Sequence, residues 1–168
     1  MNYYIIIRGP LGSGKSTISE KLASILNAKY FGLDEVLEKN RLDKMPPDAP
    51  CISAENFIKA NNIVIPEAKE LLSHGKIVIF DACFYHKEVI EHLIQNLPFE
   101  QYVFTLKAPV ELCIKRDSER TKYHGEGAAY AVHSLVSQFD YGTIIDVNKS
   151  LDDTIQDILS YLPSPQNS

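Results

Sequence analysis

The 168-residue sequence has no basic surplus, no Cys-x-x-Cys pair and no long apolar run. Lys and Arg number 17 against 22 Asp and Glu, for a formal charge of −5. That balance argues against a protein built to hold a nucleic-acid backbone, which needs a basic surface, although a local basic groove is compatible with it. Three cysteines, Cys51, Cys83 and Cys113, are an odd count, so a disulfide scaffold is excluded and free thiols in a reducing cytoplasm are expected. His74, His86, His92, His124 and His133 form no paired-ligand spacing with them, which disfavours zinc. The start, Met1 to Arg8, lacks the basic region and small-residue cleavage site of a signal peptide. No apolar stretch approaches the ~18–20 residues that cross a bilayer. What is present, 45% apolar and 23% charged residues, suits one globular domain over residues 1–162 with a frayed tail at 163–168.

Along the chain, short apolar runs alternate with segments of helical period. Tyr3–Arg8, Ala28–Gly32, Lys76–Phe80, Gln101–Lys107 and Thr143–Val147 read as strands. Ser16–Leu26, Leu33–Lys39, Ser53–Ser73, Lys87–Leu97, Pro109 to about Arg120, Ala128–Phe139 and Leu151–Leu162 read as helical. Ser53 suits an N-cap, and Pro66 should kink the third of these helices or split it. Asn40–Pro50, with Pro46, Pro47 and Pro50, must be a loop. The expected fold is therefore α/β: a five-stranded parallel sheet with helices on both faces.

The sharpest motif is Gly9-Pro10-Leu11-Gly12-Ser13-Gly14-Lys15-Ser16, which fits G-x-x-x-x-G-K-[ST] at every fixed position. Its glycines let successive backbone N–H groups converge on one oxyanion, and the helix that follows, through Thr17, aims its positive end there. Lys15 would neutralise the β- and γ-phosphates, and the Ser16 hydroxyl could ligate Mg²⁺. A buried strand before the loop and a helix after it supply the right context. The pattern marks a P-loop NTPase fold. A dinucleotide loop is excluded, because Thr17 stands where G-x-G-x-x-G needs its third glycine.

Ligands in open parallel sheets bind beyond the carboxyl ends of the strands. Asp34 follows the second strand and could accept a proton from an attacking hydroxyl, or simply cap a helix. Asp81 closes the third strand and could hold Mg²⁺ through water. Ala82 stands where water-activating ATPases often carry Glu, which favours transfer to an acceptor over hydrolysis. Cys83, Phe84, Tyr85 and His86 continue into a pocket wall. Arg116 and Arg120 lie four apart, beside Lys115 and Lys122, ahead of the polar, glycine-bearing segment Thr121–Gly127. They suit a lid of about residues 116–130 that closes on a triphosphate, or a helix end that carries cations for its dipole. Asp117 and Glu119 could make surface pairs of little consequence. Asn148-Lys149-Ser150-Leu151 is similar to the guanine-reading N-K-x-D without its Asp, so Asn148 is expected beside the base without guanine selectivity.

Together these residues give a chain that resembles the small P-loop kinases of the adenylate, shikimate, gluconate and adenylylsulfate kinase group, from about Tyr3 to Leu162. Within the group it looks closest to chloramphenicol-phosphotransferase-like kinases. Phe31-Gly32-Leu33-Asp34 resembles their Gly-x-Asp turn, with Asp34 as general base. Arg116 and Arg120 through Gly127-Ala128 to Val132-His133 resemble their lid, and Phe139-Asp140-Tyr141-Gly142 with Ile145-Asp146 their entry to the last strand. Asp81-Ala82-Cys83 departs from the triple glycine of shikimate kinases, and the Asp-Gly-x-Pro-Arg run of adenylate kinases is absent. The resemblance implies transfer of the ATP γ-phosphate to a small-molecule hydroxyl, with Mg²⁺. The acceptor is expected between Asp34, Lys44–Pro50, Phe57 and Phe84–Tyr85. A polynucleotide 5′-kinase and a nucleotide-binding regulatory module without transfer stand as alternatives.

Overall fold

The computed structural model describes residues 2–164. Residues 165–168 of the expected tail lie outside the described residues. The strands are β1 (Tyr3–Arg8), β2 (Lys29–Gly32), β3 (Val78–Ala82), β4 (Glu100–Lys107) and β5 (Thr143–Asp146). The helices are α1 (Lys15–Leu26), α2 (Leu33–Lys39), α3 (Ala54–Ser73), α4 (Lys87–Asn96), α5 (Val110–Ser118), α6 (Glu126–Val136) and α7 (Leu151–Ser160). The sheet order is β2-β3-β1-β4-β5, and every neighbouring pair is parallel.

Alternation along β1 explains the layering. Tyr4 and Ile6 point to one face, where Leu37 of α2, Phe57 and Leu72 of α3 and Leu93 of α4 cover them. Tyr3, Ile5 and Ile7 point to the other, against Ile18 and Leu22 of α1 and Ile155 and Ile158 of α7. A strand buried on both faces needs no polar residue until it ends, which is why it reads as one apolar run.

The last residue of β1, Arg8, is fully buried, a cation inside that run. Its guanidinium donates to the carbonyls of Phe84 (3.3 Å), Val136 (3.0 Å) and Phe139 (3.0 Å) and to Thr105 Oγ1 (3.2 Å). It also lies 4.2 Å over the Phe139 ring. Burial lowers its pKa to about 10, with Asp140 opposing, so it stays charged at neutral pH. Arg8 thus ties the end of α6 to the wall at Phe84, a non-glycine residue held at φ 45°.

Pro66 does not split α3, which runs unbroken from Ala54 to Ser73. The carbonyl that loses its partner belongs to Asn62, and both residues are exposed, so water can satisfy it. Ser53 does cap α3, its hydroxyl accepting from the Asn56 N–H at 3.2 Å. Ser53→Ala should cost about 1 kcal/mol in chemical denaturation, with an unchanged m-value.

Candidate active site

Register brings the site together at the carboxyl ends of the strands. Ile7 lies beside Asp81, and Asp81 beside Gly32. The loop after β1, the end of β3 and the turn into α2 therefore converge. They do so where α1 leaves toward one face and α4 toward the other, the switch point at which such sheets bind ligands.

Gly12 and Gly14 sit at φ +74° and +88°, a left-handed geometry that turns the loop tightly into α1. Gly14 is the N-cap, so the first N–H groups of the helix have no partner within it. Lys15 is 6% exposed, and its ammonium donates to the Pro10 carbonyl at 2.9 Å. The same carbonyl accepts from the Ser13 hydroxyl at 2.7 Å. Burial works against the Lys15 charge, but Cys83, Asp34 and Asp81 outweigh it and raise its pKa.

Two clefts flank this loop. One, of about 300 Å³, is lined by Gly12, Ser13, Gly14, Lys15, Ser16 and Thr17 together with Arg116, Glu119 and Arg120. The other, of about 390 Å³, is lined by Asp34, Met45, Pro50, Phe57, Cys83 and Tyr85, and reaches Leu11 of the loop. The loop is thus a shared wall, with Leu11 on one side and Gly12–Thr17 on the other.

Gly9 and Pro10 are buried beneath the loop and line neither cleft. Arg116 is fixed by donating to the Val147 carbonyl at 3.0 Å. Arg120 lies past the end of α5, which is shorter than its sequence suggests, yet still faces the first cleft. Asn148 is exposed, with its N–H given to Asp146 Oδ1 at 2.8 Å, while its neighbours Val147 and Lys149 line that cleft.

Asp34 is exposed in the first turn of α2, and it does not cap that helix: the N-cap is Gly32, with no side-chain bond. Asp81 sits deeper than a residue after a strand, because β3 continues through it to Ala82. It is 2% exposed and accepts from the Tyr30 hydroxyl at 3.0 Å. Burial raises its pKa, with Lys15 and Tyr30 opposing. Burial also pushes the Cys83 thiol up to about 11, with Lys15 opposing.

Asp117 is a correction to the sequence reading. It is fully buried, not a surface partner. Its Oδ2 accepts the His124 N–H at 3.1 Å, and its Oδ1 lies 2.9 Å from His124 Nδ1. One carboxylate therefore folds the segment between α5 and α6 back over the second cleft, which His124 and Lys122 line. Lys122 reaches across to Glu38 of α2 at 2.8 Å. In Asp117→Ala, a loss of about 1–3 kcal/mol in chemical denaturation is expected. Amide hydrogen exchange should rise selectively over residues 119–125, with the β-sheet protected as before.

Among the described residues no group of three or more His, Cys, Asp or Glu forms a closed metal cage. Mg²⁺ does not need one, since it takes one or two protein oxygens and completes its shell with phosphate and water. The Ser16 hydroxyl lines the first cleft, and the buried Asp81 carboxylate, which lines neither cleft, is a second hard oxygen at the end of β3.

A family described as an AAA domain matches residues 5–139, which span the phosphate loop, Asp34, Asp81 and the lid. The chain belongs to this AAA-domain family. No curated protein matches. Among solved structures, a sugar kinase from a Janibacter species is similar at TM-score 0.77 and 17% identity, over 96% of this chain and 94% of that one. A gluconokinase from Sinorhizobium meliloti 1021 gives 0.69 and 15%, over 95% and 90%. The Mycobacterium tuberculosis APS kinase CysC, in complex with AMPPNP and APS, gives 0.66 and 16%, over 95% and 96%. The fold is that of the small P-loop kinases. No helix among the described residues is long and apolar enough to cross a membrane.

Proposed function

We propose that this AAA-domain chain is an ATP-dependent phosphotransferase that carries the γ-phosphate of ATP to a hydroxyl of a small molecule. The observation that carries the reading is the pair of clefts on one loop. The first is lined by the loop N–H groups, Lys15, Arg116 and Arg120 and suits a triphosphate. The second presents Asp34, which is exposed, has no capping duty and lines an open cleft large enough for an acceptor. A switch that only binds nucleotide needs the first cleft alone.

In this reading Asp34 takes the proton of the acceptor hydroxyl as its oxygen bonds to the γ-phosphorus. The bond from that phosphorus to the β–γ bridging oxygen breaks, and ADP leaves with the electron pair. Asp34 then passes the proton to water. Lys15 spreads its charge over the β- and γ-phosphates, and Arg116 and Arg120 offset the charge that develops on the transferred group. Ser16 and, through water, Asp81 would hold Mg²⁺, which when bound neutralises phosphate charge. Closure of the lid segment anchored by Asp117 would limit water at the transferred group.

That the similar structures are kinases supports phosphoryl transfer in general terms, and their acceptors differ from one another. The acidic rim of the second cleft, with Asp34, Glu38 and Asp43, disfavours the polynucleotide 5′-kinase alternative. Incubation with Mg-ATP and a mixed metabolite and antibiotic panel, read by mass spectrometry, tests the reading. A product heavier by one phosphoryl group is expected, while an oligonucleotide 5′ end remains unlabelled. ATP binding with no product from any small molecule would favour the regulatory module.

A further inference from the structure

We propose, resting on the kinase reading above, that the acceptor is an alcohol with an apolar body and no negative charge. Much of the wall of the 390 Å³ cleft is aliphatic or aromatic: Leu37, Ile52, Phe57, Tyr85 and Val132. A pocket of that size and character favours ring-bearing or branched aliphatic molecules over polyhydroxylated ones, whose many hydroxyls would lose water without replacement.

The charges then decide the sign. The ionic side chains around the cleft are three carboxylates, Asp34, Glu38 and Asp43, and one ammonium, Lys122. Lys122 is already held by Glu38 at 2.8 Å, and no arginine lines the cleft. The Tyr85 hydroxyl accepts the Ile52 N–H at 3.0 Å, and His124 faces Asp117. Cys83 is buried with its thiol neutral at physiological pH. An acceptor with its own carboxylate, sulfate or phosphate would meet a surplus of exposed carboxylates and no uncommitted cation among the lining residues. A neutral or amine-bearing alcohol meets no such penalty.

Across the loop the balance reverses, with Lys15, Arg116, Arg120 and Lys149 against Glu119. The two clefts thus sort the two substrates by charge. ATP and free phosphate are kept out of the acceptor side by repulsion, as well as drawn to their own.

The test uses the full chain with Mg-AMPPNP filling the first cleft, so that binding is read apart from transfer. Three benzyl alcohols of similar size serve as probes: 4-ethylbenzyl alcohol, 4-(aminomethyl)benzyl alcohol and 4-(hydroxymethyl)benzoate. At low salt the first two should bind about tenfold or more tighter than the benzoate, with the gap shrinking toward 0.5 M salt as screening grows. The Glu38→Gln/Asp43→Asn double variant should narrow the gap further. Equal or tighter binding of the benzoate, or no binding by any of the three, overturns the proposal. The same probes with Mg-ATP separate the two ideas. The expected order without any phosphorylated alcohol would overturn the acceptor assignment together with the kinase reading. The reverse order with product formed would overturn this proposal alone.

Discussion

Asp34→Asn should lower turnover by about 10²–10⁴-fold while ATP affinity stays within about twofold. The substitution keeps the shape of the side chain and removes the site that receives the proton. Asp34 lines the second cleft and is absent from the wall of the first, so the nucleotide contacts of Gly12–Thr17 are untouched. Asp34 is exposed and caps nothing, so the loss in stability should be small. It is confined to the favourable placement of an acid in the first turn of α2, about 0.3–1 kcal/mol. Steady-state kinetics with ATP and an acceptor alcohol that the wild-type chain phosphorylates, beside calorimetric titration with AMPPNP, separates the two effects. A fall in kcat with unchanged nucleotide affinity is the expected split. Loss of both together would make Asp34 part of the nucleotide site instead.

Gly12→Ala should be the most damaging change in the phosphate loop, on fold and function at once. A Cβ on Gly12 would stand 2.0 Å from the Cys113 carbonyl oxygen and 2.8 Å from its carbon. Both are backbone atoms of α5, which cannot swing aside like the tip of a side chain. The residue also sits at φ +74°, which costs an L-residue about 1–2 kcal/mol before any collision. Adding the penalty of overpacking gives a loss of about 3 kcal/mol, or roughly 6–12 °C in Tm. Because α5 carries Arg116, pushing the loop off this helix also moves the arginine away from the phosphate cleft, and nucleotide binding should fall with stability. Gly14→Ala is the informative companion. Its nearest non-local atom would be Ile18 Cδ1 at 3.8 Å, so it bears the φ penalty without the collision and should lose less stability. Gly127→Ala meets nothing within 4 Å in α6, and should leave the fold intact or slightly firmer. Thermal melts of the three variants should rank in that order.

The features legible in the sequence were those with a local cause. The phosphate loop announces itself because its glycines, lysine and serine must stand at fixed spacing. The β1 run is readable because both of its faces are buried, and the Ser53 cap because its bond is made three residues on. Asp34, Met45, Pro50, Phe57 and Tyr85 line one cleft, in the region where the acceptor was expected from their positions after strands and in the Pro-rich loop. What escaped depends on burial and on tertiary partners that the sequence pattern does not show. Asp117 looked like one more surface acid, because nothing near it in sequence reveals that its carboxylate is fully buried against His124. Arg8 falls inside the strand run Tyr3–Arg8 with no role of its own in the sequence, and its partners are some 76 to 131 residues away. Its position, a cation closing an otherwise apolar run, was the one available signal. The depth of Asp81 followed from strand register with β1 and β2, and its bond from Tyr30 spans 51 residues. Pro66 leaves the helix unsplit. A proline costs a helix its hydrogen bond, but the orphaned carbonyl here faces water, and the apolar stripe from Phe57 to Leu72 holds α3 together across the gap.

The central claim is that the phosphoryl group leaves one cleft and arrives in the other. The most direct measurement is incubation of the protein with Mg-ATP labelled with ¹⁸O on the non-bridging oxygens of the γ-phosphate, together with a metabolite extract. Mass spectrometry then follows the label. The expected result is a small-molecule phosphate ester carrying all three labelled oxygens, formed by the wild-type chain and reduced about 100-fold or more in Asp34→Asn. Label recovered only as inorganic phosphate, at the same rate in both proteins, would contradict the account.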